Sequence, residues 1–96
     1  MKLYWSHGAI EDLKHLRAYS ARENPFAAAD VSERILEAVE RLRQLPSMGR
    51  PGRVPSTREL VVPGTPLIIP YTVTDRGVEV VAVLHGARTW PGDPAS

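Results

Sequence analysis

The sequence has no cysteine among its 96 residues. This absence excludes a disulfide framework, a thiolate metal site and a cysteine nucleophile, and it is typical of proteins in a reducing compartment. No apolar run approaches the roughly 20 residues that span a bilayer, and the N-terminal segment lacks the apolar core of a signal peptide. We therefore expect a cytoplasmic protein.

Signatures of bound metals and cofactors are also lacking. The histidines His7, His15 and His85 are spread too far along the chain to form a metal cluster. The stretch "GRPGR" precedes a predicted strand, whereas a phosphate-binding loop follows a strand and opens a helix. A serine-triad signature is missing as well. We therefore expect neither a metal ion nor a cofactor.

Charge is small in total but uneven along the chain. The formal net charge is +1, which does not indicate a broad basic surface for nucleic acid, and 43% hydrophobic residues are ordinary for a globular domain. Between residues 41 and 58, however, the chain carries five arginines and no carboxylate. These residues are Arg41, Arg43, Arg50, Arg53 and Arg58.

The five arginines do not all need a functional explanation. Arg41 and Arg43 fall in the last turn of a predicted helix, where positive charge is favourable. Arg50 and Arg53 flank a Pro-Gly pair in a predicted loop without nearby carboxylates, and their guanidinium groups suit carboxylate and phosphate equally. Arg58 precedes Glu59, so a local neutral pair is possible there. We expect Arg50 or Arg53 to contact an anionic partner.

The first half of the chain has helical periodicity. "KLYW" indicates a short strand, and Ser6 is a good N-cap for a helix that ends near Glu23. Asn24 can cap a second helix that begins at Pro25 and is stopped by "PSMG". Two helices joined so closely should form an antiparallel hairpin. The predicted apolar positions are Ile10, Leu13, Leu16 and Tyr19 or Ser20 in the first helix, and Ala28, Val31, Ile35, Val39, Leu42 and Leu45 in the second.

The second half has the alternation of strands. Thr57–Val62, Leu67–Val73 and Val78–His85 are separated by short turn sequences, which predicts a three-stranded antiparallel meander. Pro70 lacks a ladder donor and suggests a bulge or an amide pointing away from a neighbour. The last strand is mostly apolar on both faces, so we expect its second face to be covered by a partner. These elements predict a single α+β domain over residues 1–91, followed by a mobile tail at 92–96.

Metal-free cleavage of RNA is one chemistry that these residues could support. It needs a base, an acid and cations for the developing charge on the phosphate. The candidates are Tyr71, His85, Arg58 and Arg88, because His85 and Arg88 fall together at one end of the predicted sheet. The structural alternative is that His85 is a hydrogen-bonded cap at a strand end.

Four stretches stand in a familiar order along this predicted architecture: "NPFAAADVSERI", "LPSMGRPGRVPSTRELVV", "TPLIIPYTV" and "VLHGARTWP". Together they resemble the RelE/ParE superfamily of bacterial type II toxin–antitoxin toxins, over about Leu3 to Pro91. The phrases "GRPGR", "TRELVV" and "VLHGAR" in that order are the most specific part. The resemblance implies an α+β toxin held inactive by an antitoxin, which lays an extended or helical C-terminal segment across it.

The resemblance also implies one of two targets. RelE-like members cut mRNA in the ribosomal A site, whereas ParE-like members act on DNA gyrase and block replication. RelE-like catalysis uses an arginine early in the strand that begins here at Leu67, and a tyrosine or histidine near the C-terminus. Leu67 stands at that arginine position and no tyrosine follows Arg88, although His85 and Arg88 match that end of the site. This departure favours the ParE-like interpretation.

Three functional hypotheses follow. The chain is a gyrase inhibitor without catalysis, a metal-independent endoribonuclease that uses Arg58, His85 and Arg88, or a binding module that only pairs with its antitoxin. In each case the expected partner is a cognate antitoxin. The candidate residues for contact with the target or antitoxin are Arg50, Arg53, Arg58, His85, Arg88 and Trp90.

Overall fold

The computed structural model describes residues 1–85, apart from the side chains of Glu23 and Pro25. Arg88, Trp90 and the predicted tail at 92–96 lie outside the described residues. No helix within the described part is long and apolar enough to cross a membrane. In chain order the elements are β1 (Leu3–Trp5), α1 (His7–Glu23), α2 (Pro25–Glu40), a 3₁₀ turn (Arg41–Arg43), β2 (Arg50–Pro51), β3 (Arg58–Val61), β4 (Leu67–Thr74), β5 (Gly77–Val80) and β6 (Leu84–His85).

The two helices begin where their caps predict. The Ser6 hydroxyl oxygen accepts a hydrogen bond from the Ala9 amide at 3.0 Å, and the Asn24 side chain accepts from the Phe26 amide at 3.0 Å. Each bond satisfies one of the amides that a helix start leaves without a partner. Asn24, with an extended backbone, alone joins α1 to α2, and the two helices pack against each other. The predicted antiparallel hairpin is confirmed.

The predicted apolar stripes are wrong at their ends. The α-helical part of α2 stops at Glu40, and the chain tightens into the 3₁₀ turn, where three residues complete each turn instead of 3.6. Leu45, expected in the stripe, is 58% exposed as a result of this change in phase. In α1, Leu13 and Leu16 pack against the core and Ser20, the alternative to Tyr19, is half-buried, whereas Ile10 at the start of the stripe is exposed.

The sheet contains the predicted meander of β3, β4 and β5, paired antiparallel in that order. Two further pairings extend it: β1 lies parallel to β5, and β2 lies antiparallel to β3. The order β1-β5-β4-β3-β2 therefore places the N-terminal strand β1 at one edge and β2, with Arg50, at the other. The α+β class and the order strand, helix hairpin, meander are confirmed.

The last predicted strand is divided by a bulge opposite Pro70. Val80 pairs with residue 71 and Leu84 with residue 68, so the three residues 81–83 lie opposite the two residues 69 and 70 of β4. The Pro70 carbonyl accepts from the Val81 amide at 2.9 Å. In an antiparallel strand the amide and the carbonyl of one residue are on the same side, so the nitrogen of Pro70, which has no hydrogen to donate, also faces the bulged strand. The bulge predicted from Pro70 is confirmed.

At Val83, the bulge also corrects the expectation that the second face of the last strand needs a cover from a partner, whereas Val81, predicted on the same face, is only half-buried. The extra residue changes the alternation, and Val83 joins the same core as Val78 and Val80. The Val83 amide donates to the Asp12 carboxylate at 3.0 Å, which ties the bulge to α1. Along this strand the apolar residue Val83 is therefore covered from within the chain.

Candidate functional site

The arginine-rich connector, defined here as residues 46–58, is part of the sheet and not a loop beside it. Arg50 pairs with Glu59 and Pro51 with Arg58 in the β2–β3 ladder. The Gly52 amide donates to the Thr57 carbonyl at 2.8 Å and closes the hairpin. This short hairpin brings Arg53 and Arg50, which precede Glu59 by six and nine positions in the sequence, into contact with the Glu59 side chain.

Glu59 is the buried centre of the connector. Its side chain is 2% exposed, whereas those of Arg50 and Arg53 are 57% and 39% exposed. The carboxylate accepts from the Arg53 amide at 2.9 Å, from Arg50 Nη2 at 3.2 Å and from Arg53 Nε at 3.5 Å. The prediction that Arg50 and Arg53 lie without a nearby carboxylate is therefore wrong.

The electrostatics of Glu59 follow from these contacts. Burial by itself raises the pKa of the carboxyl, because it disfavours the charged form. The hydrogen bonds from Arg53 and Arg50, together with the charge of Arg53, outweigh burial and hold the pKa of Glu59 below its usual value. One buried anion is thus shared by two cations, and the cluster of three side chains carries a net charge of about +1.

Arg58 does not pair with Glu59. Neighbouring residues of a strand point to opposite faces, so the two side chains diverge. Arg58 Nη1 instead donates to the Gly49 carbonyl at 2.7 Å and to the Ser47 carbonyl at 3.3 Å. Arg58 therefore holds the preceding segment of the connector against the sheet.

Tyr71 holds the same segment from the neighbouring strand. Its hydroxyl donates to the Pro46 carbonyl at 2.7 Å and accepts from the Gly49 amide at 2.8 Å, and Tyr71 is directly opposite Arg58 in the β3–β4 register. Burial raises the pKa of the Tyr71 phenol and outweighs the Gly49 hydrogen bond and the Arg58 charge. A buried hydroxyl with both partners in place and a raised pKa has a structural role and is a poor general base.

His85 lies on the other side of β4 from Arg58. Arg58 pairs with residue 71 across one edge of β4, and His85 pairs with Leu67 across the opposite edge. Four positions along β4 and two spacings between strands put their Cα atoms about 16 Å apart. The structure therefore does not bring Arg58 and His85 together around one phosphate.

His85 has different neighbours. It lines a cavity of about 260 Å³ together with Asp12, His15 and Leu16 of α1 and with the buried residue Leu67. In the described part of the chain, no group of three or more His, Asp or Glu side chains is arranged to hold a metal ion. His85 and His15 therefore line a cavity between α1 and the sheet, in a place that their spacing in sequence does not reveal.

Comparison with known proteins identifies the family. A family model described as "ParE toxin of type II toxin-antitoxin system, parDE" matches residues 3–90. The chain belongs to this toxin family. It is therefore a toxin of a type II toxin–antitoxin system, which implies an antitoxin protein as its partner. The membership predicted from the ordered stretches is confirmed.

Relatives and a solved structure agree with this assignment. The toxin is 43% identical over 90 residues to "Putative toxin Y4kP" of Sinorhizobium fredii, a match covering 94% of this chain and 93% of the relative. It is 32% identical over 87 residues to "Toxin RelE2" of Caulobacter vibrioides, covering 91% and 97%. A structure titled "Chromosomal ParDE TA system from P. aeruginosa" is 26% identical, with a TM-score of 0.83, covering 88% of this chain and 95% of that chain.

The sequence did not predict the structural roles of two carboxylates of the toxin, Glu59 and Asp12, which hold the connector and the bulge in place. Glu59 carried a usable signal, because a lone carboxylate inside the apolar strand sequence "TRELVV" is expected to be paired if it is buried. Asp12 had no such signal in the sequence, because it is one of several charged residues predicted on the outer face of α1. Its partner, the Val83 amide, is 71 residues away in sequence.

Proposed function

We propose that the toxin inhibits DNA gyrase and is neutralised by its cognate antitoxin. The observation that supports gyrase over mRNA is the placement of Arg58: its guanidinium is bonded to two main-chain carbonyls. The Cα atoms of Arg58 and His85 lie about 16 Å apart on opposite edges of β4. Leu67, at the position of an arginine in RelE-like members, is buried. Among the described residues, the two RelE-like candidates Arg58 and His85 are therefore not placed around a common point.

The connector supplies a surface for an anionic partner. Arg50 donates to Glu59 from one guanidinium nitrogen, and its side chain is 57% exposed, so further guanidinium donors remain for a partner. Because Glu59 fixes one end of the guanidinium, less side-chain entropy is lost when a partner binds. We propose Arg50 as the principal contact, and we retain Arg53, Arg58, His85, Arg88 and Trp90 as further candidates for target or antitoxin binding.

A supercoiling assay tests the gyrase proposal. Purified toxin is titrated into gyrase with relaxed plasmid and ATP, and we expect loss of supercoiling or accumulation of cleaved DNA, both reversed by added antitoxin. Arg50→Glu should weaken the effect, whereas Arg17→Glu, an exposed arginine on α1, should leave it unchanged. No effect at a large excess of wild-type toxin over gyrase contradicts the proposal.

A RelE-like activity is the second candidate. It is favoured by the relative named "Toxin RelE2" and by the exposed position of His85 beside a cavity. The test is primer extension on mRNA from a ribosome-programmed translation reaction, where codon-phased cleavage is expected. His85→Ala and Arg88→Ala should abolish cleavage and His7→Ala should not; cleavage retained in the first two excludes those residues.

The third candidate, a binding module that only pairs with the antitoxin, is separated from both by growth. Induced expression of either active toxin should arrest growth, and co-expressed antitoxin should restore it. Induction without arrest favours the binding module. Since gyrase and ribosomes are cytoplasmic, we propose that the toxin acts there.

A further inference from the structure

The bulge between β5 and β6 decides on which side of the sheet His85 lies. His85 is directly opposite Leu67 in the β4–β6 ladder. Paired residues of an antiparallel ladder point to the same side of the sheet, and the Leu67 side chain belongs to the core that the two helices cover. His85 is therefore on the helix side, where it lines the cavity beside α1.

Without the bulge, His85 would lie on the other side of the sheet. Continued without a break from the β4–β5 pairs, the ladder would bring Leu84, and not His85, opposite Leu67. A shift of one residue turns every side chain of a strand to the opposite face. His85 would then leave α1 and share the outer face with Glu59, which alternates with the core residue Leu60 along β3.

The apolar pattern of the last strand is compatible with both registers. In the observed register Val83 belongs to the core. In the uninterrupted ladder Ala82 and Leu84 would take the positions opposite the core residues of β4. Since either register buries apolar side chains, contacts of the backbone polar groups must contribute to the choice.

Two backbone groups of the bulge are bonded to side chains of the α1 segment instead of to β4. The Val81 carbonyl has no donor in Pro70, which lacks an amide hydrogen, and it accepts from the Ser6 hydroxyl at 3.0 Å. The Val83 amide donates to the Asp12 carboxylate at 3.0 Å. Because Val83 is only 8% exposed, an amide left unbonded there would be costly, so Asp12 stabilises the bulged register.

We propose that Asp12 is a positioning residue of the toxin, which acts on target binding through the register of β6. Three candidate contact residues, His85, Arg88 and Trp90, follow the bulge in the sequence. The register that Asp12 stabilises sets the side of the sheet on which His85 lies and the starting position of the segment that holds the other two. This inference rests on the gyrase inhibition proposed above.

Inhibition of gyrase supercoiling by purified variants tests the inference. Asp12→Ala should weaken inhibition by about fivefold or more, because the buried Val83 amide loses its acceptor. Asp12→Asn should stay within about twofold of wild type, since its side-chain oxygen can still accept from that amide. The matched control is Glu11→Ala, which removes the neighbouring carboxylate of α1, paired with Lys14 at 3.6 Å, and should inhibit like wild type.

Two further variants separate positioning from general loss of stability. Ile35→Val, in the buried face of α2, should lower the melting temperature without changing inhibition, because it does not touch β6. Asp12→Glu keeps the charge but moves the carboxylate by one methylene group. It replaces Asp12→Ala if that variant does not fold, and it should weaken inhibition to a smaller extent.

NMR measures the register of β6 in the same proteins. Wild type and Asp12→Asn should show slow exchange of the Val83 amide and a contact between the His85 ring and Leu16 of α1, whereas Asp12→Ala should lose both. Folded Asp12→Ala that keeps this contact, or that inhibits like wild type, overturns the positioning role. Wild-type toxin that leaves gyrase active overturns the proposed function instead, and the NMR contacts then still decide whether Asp12 sets the register.

Discussion

The main-chain amide of Arg53 donates a 2.9 Å hydrogen bond to the buried carboxylate of Glu59. The same carboxylate is ion-paired with the Arg50 side chain at 3.2 Å. Through these two contacts one acidic residue fixes the backbone of the connector and the direction of its arginines. The positive surface proposed to meet a partner is therefore built around a buried negative charge.

Glu59→Gln should destabilise the toxin. The variant removes the anion shared by Arg50 and Arg53, and we expect the free energy of unfolding to fall by about 1–2 kcal/mol, a value reduced because both arginines are partly exposed. Urea denaturation measures the change. Glu40→Gln, which removes the exposed Glu40–Arg43 pair, is the control and should change stability by less than about 0.5 kcal/mol. Equal effects of the two substitutions would show that burial of Glu59 contributes nothing.

The contribution of Glu59 should depend on pH. Since its pKa is lowered in the folded state, its stabilisation is fully present above the unfolded-state pKa of about 4.3 and is lost as pH falls through the folded-state pKa. The stability difference between wild type and Glu59→Gln should thus be constant near neutral pH and shrink below about pH 4. Urea denaturation of both proteins at several pH values checks this. A difference that grows on acidification would reverse the assigned direction of the shift.

Tyr71→Phe should loosen the connector. The substitution leaves the Gly49 amide and the Pro46 carbonyl without their shared partner, which should cost about 1–3 kcal/mol of stability. Amide hydrogen exchange should accelerate at Gly49, because the lost hydrogen bond protects that group. Tyr19→Phe, on an exposed tyrosine of α1, is the matched control and should be neutral. Unchanged exchange at Gly49 would contradict the role given to the Tyr71 hydroxyl.

Gly49→Ala and Gly8→Ala should change stability in opposite directions. A Cβ at Gly49 would lie 2.6 Å from the Tyr71 hydroxyl and 2.9 Å from the Glu59 carbonyl, so we expect a loss of about 1–3 kcal/mol. A Cβ at Gly8 has its nearest neighbours at 3.9 Å, and alanine in a helix should add about 0.5–1 kcal/mol. Thermal unfolding compares them. A neutral Gly49→Ala would mean that the connector packs less closely on Tyr71.

Much of the fold was predictable because its signals are local. Ser6 and Asn24 cap their helices from positions next to them in sequence, and the change from helical to alternating periodicity after Pro46 separates the hairpin from the meander. Pro70 marked the bulge, because its missing donor is a property of the residue itself. The pairing of β1 with β5 carries no such signal, since it joins the two ends of the described chain.

The candidate site was less predictable, because it depends on pairings between strands. Sequence reasoning found the arginines of the connector but not their shared partner Glu59. It also grouped Arg58 with His85, which the sheet places on opposite edges of β4.

The sequence by itself determined the family, the helix hairpin and the meander, because ordered motifs, caps and periodicity act over a few residues. Only the tertiary structure decided which charges remain available to a partner. Glu59 takes up part of the charge of Arg50 and Arg53, and the Arg58 guanidinium donates to main-chain carbonyls. The Arg41 side chain, in contrast, makes no ion pair or side-chain hydrogen bond within the described residues. The physical reason is that a charge is neutralised by what lies within a few ångströms of it in space, and strand pairing sets those neighbours.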